Sequence, residues 1–213
     1  MEIFYNIPTS QHPKKITMQN QISNEKIVIL DRDGVINFDS DQFIKSPNEF
    51  KLIPNSLESI AKLNQHGIKV VIATNQSGIG RGLFDMDTLN LIHQKLNSEL
   101  AKVGGKIEAI FFCPHIDSDN CDCRKPKSGM FLEISEAFGI SLNGIFAVGD
   151  SLRDLQASAN VGCQPILVLT GKGKNTLQNA ENAENDPQKA LPKNTKIFDD
   201  LHKATDYIIQ NLV

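Results

Sequence analysis

The chain has 213 residues, 40% hydrophobic and 22% charged, with a formal net charge of −3. That length builds one domain with a sizeable core, and the scattered Lys and Arg form no basic stripe of the kind nucleic acid needs. No segment approaches the roughly 18 consecutive apolar residues of a membrane span, and residues 1–24 have neither an apolar signal core nor a small-residue cleavage site. The expected setting is the cytoplasm. The expected partner is a small molecule rather than nucleic acid or a membrane, and no apolar stripe is left over for a large interface, so a monomer is expected.

Residues 1–24 are rich in Asn, Gln, Ser, Thr and Lys and read as a weakly ordered arm, with Met18 as an alternative start. Residues 25–213 form the expected domain. Ile27-Val28-Ile29-Leu30 is a buried strand by its β-prone apolar run, and it ends in Asp31-Arg32-Asp33-Gly34. Asn37 to Ile53 is irregular, with Pro47 inside it. Pro54-Asn55-Ser56-Leu57 opens a helix whose Leu57, Ile60, Ala61 and Leu63 share a face, and Gly67 stops it. Lys69 to Ala73 is the second strand, followed by a glycine-rich loop from Thr74 to Gly82. Asp85 is placed to cap a helix in which Leu89, Ile92, Leu96 and Leu100 recur at three- and four-residue steps. Ala109 to Phe112 is the third strand and runs into a cysteine cluster. A helix over Met130–Phe138, a strand over Ile145–Val148, a helix over Leu152–Val161 and a strand over Pro165–Leu169 follow. Gly171 to Lys196 reads as a polar surface loop, and Ile197 to Leu212 as a closing helix.

Five short apolar strands alternating with helices predict an α/β fold, a doubly wound, mostly parallel sheet covered on both faces. In such sheets the ligand site lies beyond the carboxyl ends of the strands. Each unusual cluster of this chain falls at such an end: Asp31 and Asp33, Thr74-Asn75-Gln76-Ser77, the cysteines, and Gly149-Asp150. Taken singly, each also reads as a polar turn. Turns, however, would fall at both ends of the sheet.

Two acids at the end of a buried strand repel one another and call for a cation. Asp31, nearest the strand, is the natural nucleophile toward phosphorus, forming an aspartyl-phosphate. Asp33 is placed to protonate the leaving oxygen and then to take a proton from water. Asp150 adds a third carboxylate, with Asp154 one helical turn on. An oxygen-only set of this kind suits Mg²⁺, and a contact from Asp33 through its backbone carbonyl, one of the ways open to it, would free its side chain for proton transfer. Thr74, the Asn75 amide and Lys125 are candidate donors to the phosphoryl oxygens, and Arg124 stands beside Lys125.

Asp-Arg-Asp-Gly, Thr-Asn-Gln-Ser-Gly, Cys-Arg-Lys-Pro and Gly-Asp-Ser-Leu-Arg-Asp, in that order over about residues 26–170, resemble the haloacid-dehalogenase-like phosphatases. The resemblance implies a Rossmann-like fold without a large cap domain, Asp31 as nucleophile, Asp33 as general acid/base, Mg²⁺ on Asp31, the Asp33 carbonyl and Asp150, and Thr74 and Lys125 on the phosphoryl group. The branch most resembled hydrolyses the C7 phosphate of a heptose 1,7-bisphosphate, on the route to the nucleotide-activated heptose of lipopolysaccharide core.

Cys113-Pro114-His115, five residues, then Cys121-Asp122-Cys123 supplies three thiolates and one imidazole, a complete tetrahedral Zn²⁺ set with no position left open for water. A structural zinc there holds a polar loop that delivers Arg124 and Lys125 directly after its last ligand. Cys163 stands apart and reads as a small buried apolar residue. Histidinol-phosphate phosphatases share this zinc loop and are the alternative; a non-catalytic sugar-phosphate-binding module is a second. Ser77-Gly78-Ile79-Gly80-Arg81-Gly82 resembles the heptose branch, with Arg81 offered to a second phosphate or to sugar oxygens. The family's Gly-Tyr is missing from Asp39-Ser40-Asp41-Gln42-Phe43, where Asp39 and Gln42 are candidate hydroxyl ligands. Asn75, Gln76, Ser77, Arg124 and Ser151 complete the expected substrate-binding set.

Overall fold

A computed structural model of the chain describes residues 25–182, 186 and 188–212. The expected arm, 1–24, lies outside them. Six strands form one sheet in the order β3-β2-β1-β4-β5-β6, and every neighbouring pair is parallel. They are β1 (Ile27–Leu30), β2 (Lys69–Asn75), β3 (Ala109–Cys113), β4 (Phe146–Gly149), β5 (Gln164–Val168) and β6 (Lys196–Phe198). The helices are α1 (Ser56–Gln65), α2 (Met86–Lys102), α3 (Gly129–Phe138), α4 (Leu152–Ala159), α5 (Gly173–Glu181) and α6 (Leu201–Leu212).

The alternation of side chains along each strand explains the two layers. Val28 and Leu30 join Val70, Ile72 and Val148 beneath α1, α2 and α6, through Ile60, Leu96 and Ile208 among others. Ile27 and Ile29 point the other way, with Val71, Phe111 and Ala147, onto Phe131 and Ile134 of α3 and Ala157 of α4. Cys163 packs there as well, as expected of a small apolar side chain. Each large apolar side chain taken wholly out of water in these layers contributes about 1.5–3 kcal/mol. Asp85 caps α2, its carboxylate accepting from the Thr88 amide at 2.8 Å.

Three features differ from expectation. The stretch from Gly171 to Lys196 is not all loop: it contains α5, of which only Gly173 and Thr176 are buried. A polar helix docked at one end carries no apolar periodicity to read. A sixth strand, β6, is also present; it is three residues at the sheet edge with Ile197 exposed, too short to show an alternating pattern. Strand β2 continues through Thr74 and Asn75, which pair with Phe112 and Cys113, so the ladder runs on into polar residues whose side chains look like loop.

From β1 the chain winds outward through β2 and β3, then crosses back to β4 and winds the other way. The order therefore reverses between β1 and β4, and a crevice opens beyond their carboxyl ends.

Candidate active site

At that switch point Asp31 leaves β1, and its amide donates to Val148 of β4 at 2.8 Å, extending the ladder by one bond. Asp150 leaves β4, and Asp154 follows in the first turn of α4. One carboxylate oxygen from each of Asp31, Asp150 and Asp154 lies within 4.8 Å of the other two. Lys125, buried, reaches Asp31 at 2.9 Å and Asp154 at 2.6 Å, and donates to the Ala73 carbonyl at 2.8 Å. The second Asp154 oxygen is held by the Ser151 amide and hydroxyl.

Burial pushes the Asp31 carboxyl up to about 6, although Lys125 draws it down, and burial with Asp154 and Asp31 beside it pushes Asp150 up to about 8. Burial also works upward on Asp154, but Lys125 and Arg153 outweigh it and hold Asp154 below its ordinary value. Acids that resist ionisation because they are crowded and dry suit a hard divalent cation, and this oxygen donor set fits Mg²⁺.

The Asp33 side chain is not one of that trio. Its carboxylate accepts from Arg32 on both oxygens at 3.0 Å, from Asn37 at 2.7 Å and from Gln76 at 2.9 Å. Burial acts upward on it, but Arg32, then Asn37 and Gln76, hold it below the usual carboxylate range. With its side chain engaged in this way, a metal contact from Asp33 falls to its backbone carbonyl.

Two glycines make the packing around Asp150 possible. Gly34 (φ +85°) and Gly171 (φ +54°) both abut its carboxylate, where a Cβ on either would overlap Asp150 Oδ2. The loop that carries Gly171 completes the support. The Lys172 amide donates to Asp150 Oδ2 at 2.7 Å, and the Thr176 hydroxyl to the Asp150 carbonyl at 2.9 Å.

A cavity of about 220 Å³ lies over this floor, with Asp31, Thr74 and Lys125 at its base. Arg81, Arg124, Arg153 and Lys172 also line it, as do Asp39 and Asp41. Lys172 reaches Asp39 at 3.0 Å and Asp41 at 3.8 Å.

Most residues singled out in the sequence meet here, but several hold other partners than expected. Asn75 clasps the Lys125 backbone, its amide side chain donating to the Lys125 carbonyl and accepting from the Lys125 amide, both at 3.1 Å. Gln76 is spent on Asp33, Arg32 and the Thr74 hydroxyl. Ser77 is buried in the cavity wall. Two of the residues expected to bind substrate lie outside the cavity lining. Ser151 does not line the cavity, because its hydroxyl caps α4 through Asp154. Gln42 is exposed outside the lining, and its backbone carbonyl accepts from Lys45.

Asn37, Asp154, Arg153 and Lys172 belong to the site and were not assigned to it. Asp154 and Arg153 were within reach of a sequence argument, since both lie in the Ser-Leu-Arg-Asp run after β4. Lys172 sits in a stretch with no apolar or charge pattern.

The four zinc candidates converge at the end of β3. Cys113 and Cys123 sulfurs stand 3.2 Å apart, Cys121 lies 3.6 and 3.5 Å from them, and His115 Nδ1 is 3.3 Å from Cys123. None of the cysteines is in a disulfide. Burial pushes Cys113 up to about 11 and Cys123 upward as well, so a cation that stabilises thiolates suits the cluster. A short 3₁₀ turn, Asp117–Asp119, fills the gap before Cys121, and Asp117 holds the Arg124 Nε at 2.5 Å. The loop is also tied to its neighbour, through the Gln76 amide on the Cys113 carbonyl at 2.7 Å and the Gly80 amide on the Pro114 carbonyl at 2.9 Å.

The sequence profile of the haloacid dehalogenase-like hydrolases matches residues 15–162. The chain belongs to the haloacid dehalogenase-like hydrolases. Among its relatives within this family is D-glycero-beta-D-manno-heptose-1,7-bisphosphate 7-phosphatase of Bordetella bronchiseptica, 50% identical over 87% of this chain and 98% of its own. The protein of the same name from Pseudomonas aeruginosa is 48% identical, over 88% of this chain and 99% of its own. A crystal structure of D,D-heptose 1,7-bisphosphate phosphatase from B. bronchiseptica, complexed with magnesium and phosphate, superposes on this hydrolase with a TM-score of 0.81 at 50% identity, covering 87% of this chain and 99% of that one. The fold and the family expected from the motifs are thus both borne out. Among the described residues no helix is long and apolar enough to cross a membrane.

Proposed function

We propose that this hydrolase removes the C7 phosphate of D-glycero-β-D-manno-heptose 1,7-bisphosphate, with Mg²⁺ held by Asp31, Asp150 and the Asp33 carbonyl, and a structural Zn²⁺ held by Cys113, His115, Cys121 and Cys123. The observation that carries the reading is the meeting of Asp31, Asp150 and buried Lys125 at the switch point, in a chain half identical to a heptose bisphosphate phosphatase solved with magnesium and phosphate.

Asp31 attacks phosphorus and becomes an aspartyl-phosphate, while Asp33, ionised among its Arg32, Asn37 and Gln76 donors in the free enzyme, takes up a proton as substrate enters and passes it to the departing C7 oxygen. Asp33 then takes a proton from the water that hydrolyses the acyl phosphate. Thr74 and Lys125 donate to the phosphoryl oxygens, where charge gathers in the transition state. When bound, Mg²⁺ neutralises the crowded acids and draws charge from the phosphate. Arg81 and Arg124 receive the second phosphate at the rim, which no monophosphate would engage. The four zinc ligands leave no open position, so that metal fixes the loop that carries Arg124 and Lys125.

Turnover of both anomers of the heptose bisphosphate and of histidinol phosphate tests the reading. The β anomer is expected to exceed histidinol phosphate in kcat/KM by at least about ten-fold, since a monophosphate leaves Arg81 and Arg124 without a second phosphate to pair with. Histidinol phosphate as the better substrate, with Arg81→Ala leaving bisphosphate turnover untouched, would overturn the substrate. Asp31→Asn with full activity would overturn the nucleophile.

A further inference from the structure

One buried histidine is not explained by packing. His93 lies on the core-facing side of α2 with Leu89, Ile92 and Leu96, and is 0% exposed. Its Nε2 stands 3.3 Å from an Arg32 guanidinium nitrogen, NH1. Arginine has donors only, so Nε2 accepts and Nδ1 carries the proton. Among the described residues that Nδ1 has no hydrogen-bond partner. An aliphatic side chain at this position would fill the same space without burying an unsatisfied N–H. The imidazole is held neutral, its value pushed down to about 3 by burial and then by Arg32.

Arg32 is itself 0% exposed, and a buried guanidinium needs a partner on each edge. One edge is spent on Asp33, with Nε at 3.3 Å and NH2 at 3.0 Å, and NH2 also reaches Gln76 at 3.2 Å. The Phe50 ring lies 5.8 Å from the guanidinium carbon and supports its face. The far edge, NH1, meets His93. The ring below limits tilting, the Asp33 edge sets the reach, and the NH1 contact fixes the rotation in the plane. Without it the guanidinium can turn about its Asp33 contacts and carry the carboxylate with it. A displacement near 1 Å of a catalytic group costs up to about a hundred-fold in rate.

We propose that His93 is a positioning residue for Asp33, acting through the buried guanidinium of Arg32. The proposal rests on the reading above, in which Asp33 moves the protons. His93 touches neither the cavity nor the expected metal ligands, so its loss alters the chemical step and leaves substrate binding alone.

The test compares His93→Met, which fills the space without an acceptor, with His93→Gln, whose side-chain oxygen restores one, in the full-length, metal-loaded enzyme. His93→Met is expected to lower kcat about ten-fold with KM within about two-fold, and His93→Gln to recover most of the loss. Wild-type kcat in His93→Met, or an equal loss in both variants, overturns the proposal. A measurement on the unmodified protein covers the case in which His93→Met does not fold. The imidazole nitrogens observed by NMR are expected to show the Nδ1–H tautomer, and the Nε2–H tautomer overturns the proposal. Asp31→Asn is measured alongside. If it keeps activity the functional reading fails, whereas an inactive Asp31→Asn beside an unimpaired His93→Met removes only the role of His93.

Discussion

At the floor of the crevice the Lys125 side chain is 2% exposed and stands between Asp31 and Asp154; at the rim the Lys172 side chain is 44% exposed and reaches Asp39 and Asp41. Both are lysines set between two carboxylates, in one cavity. Water separates their energetics. A dry pair holds a strong Coulombic attraction and leaves an uncompensated charge if one partner is removed. A wet pair is screened and is worth about 0–1 kcal/mol. The floor is therefore preorganised for one reaction whether or not substrate is present. The rim holds charges that an incoming phosphate can exchange at little cost, which is what selection among sugar phosphates requires.

Lys125→Met should break the floor most severely. Assayed without divalent metal, it is expected to lose about 3–5 kcal/mol of stability by denaturant titration, and with Mg²⁺ to lose at least about a hundred-fold in kcat. A stability loss under about 1 kcal/mol would erase the contrast with Lys172. Removing zinc comes next, because the loop supports both levels. Cys121→Ser should take the metal content from about one zinc per chain toward none and lower Tm by at least about 5 °C. Unchanged Tm with no zinc would make the cluster dispensable.

His93 has a folded value of about 3, below its ordinary 6.5, so the unfolded chain takes up the proton first. Its contribution to stability is complete above pH 6.5 and shrinks as pH falls toward 3. Between pH 7 and 5 the wild-type protein should lose about 2 kcal/mol that His93→Met does not lose. Parallel pH profiles for the two proteins would mean that His93 takes up its proton in the fold as it does in the unfolded chain.

Rim changes are smaller. Arg124→Ala should raise KM for the bisphosphate about ten-fold while leaving turnover of a simple aryl phosphate near wild type. A fall in kcat equal to the rise in KM would move Arg124 to the floor. Asp117→Asn is expected to act least. Asp117 is exposed and holds the Arg124 Nε, and releasing an exposed pair is worth under about 1 kcal/mol, or no more than about a five-fold rise in KM.

Strand β1 and the acids behind it were legible because a buried strand and a strand-end carboxylate both announce themselves in contiguous residues. The Cys113, His115, Cys121 and Cys123 cluster was legible for the same reason, with all four within eleven residues. Helix α5, strand β6 and Lys172 were not, since a polar helix and a short edge strand earn their order from what they dock against. The capping role of Ser151 was hidden for a related reason: a serine at a strand end looks the same whether its hydroxyl faces a ligand or caps a helix.

The sequence alone determined the alternation of strands and helices, the carboxylates at the strand ends, and the clustering of Cys113, His115, Cys121 and Cys123, because each is encoded in local spacing. Tertiary structure decided which of those groups share a partner. It put Asp154 rather than the Asp33 side chain beside Asp31 and Asp150, gave Asp33 to Arg32, and brought His93 from sixty-one residues away to the far edge of that guanidinium. Burial and pairing set the charge state of a carboxylate, and both depend on contacts between distant parts of the chain.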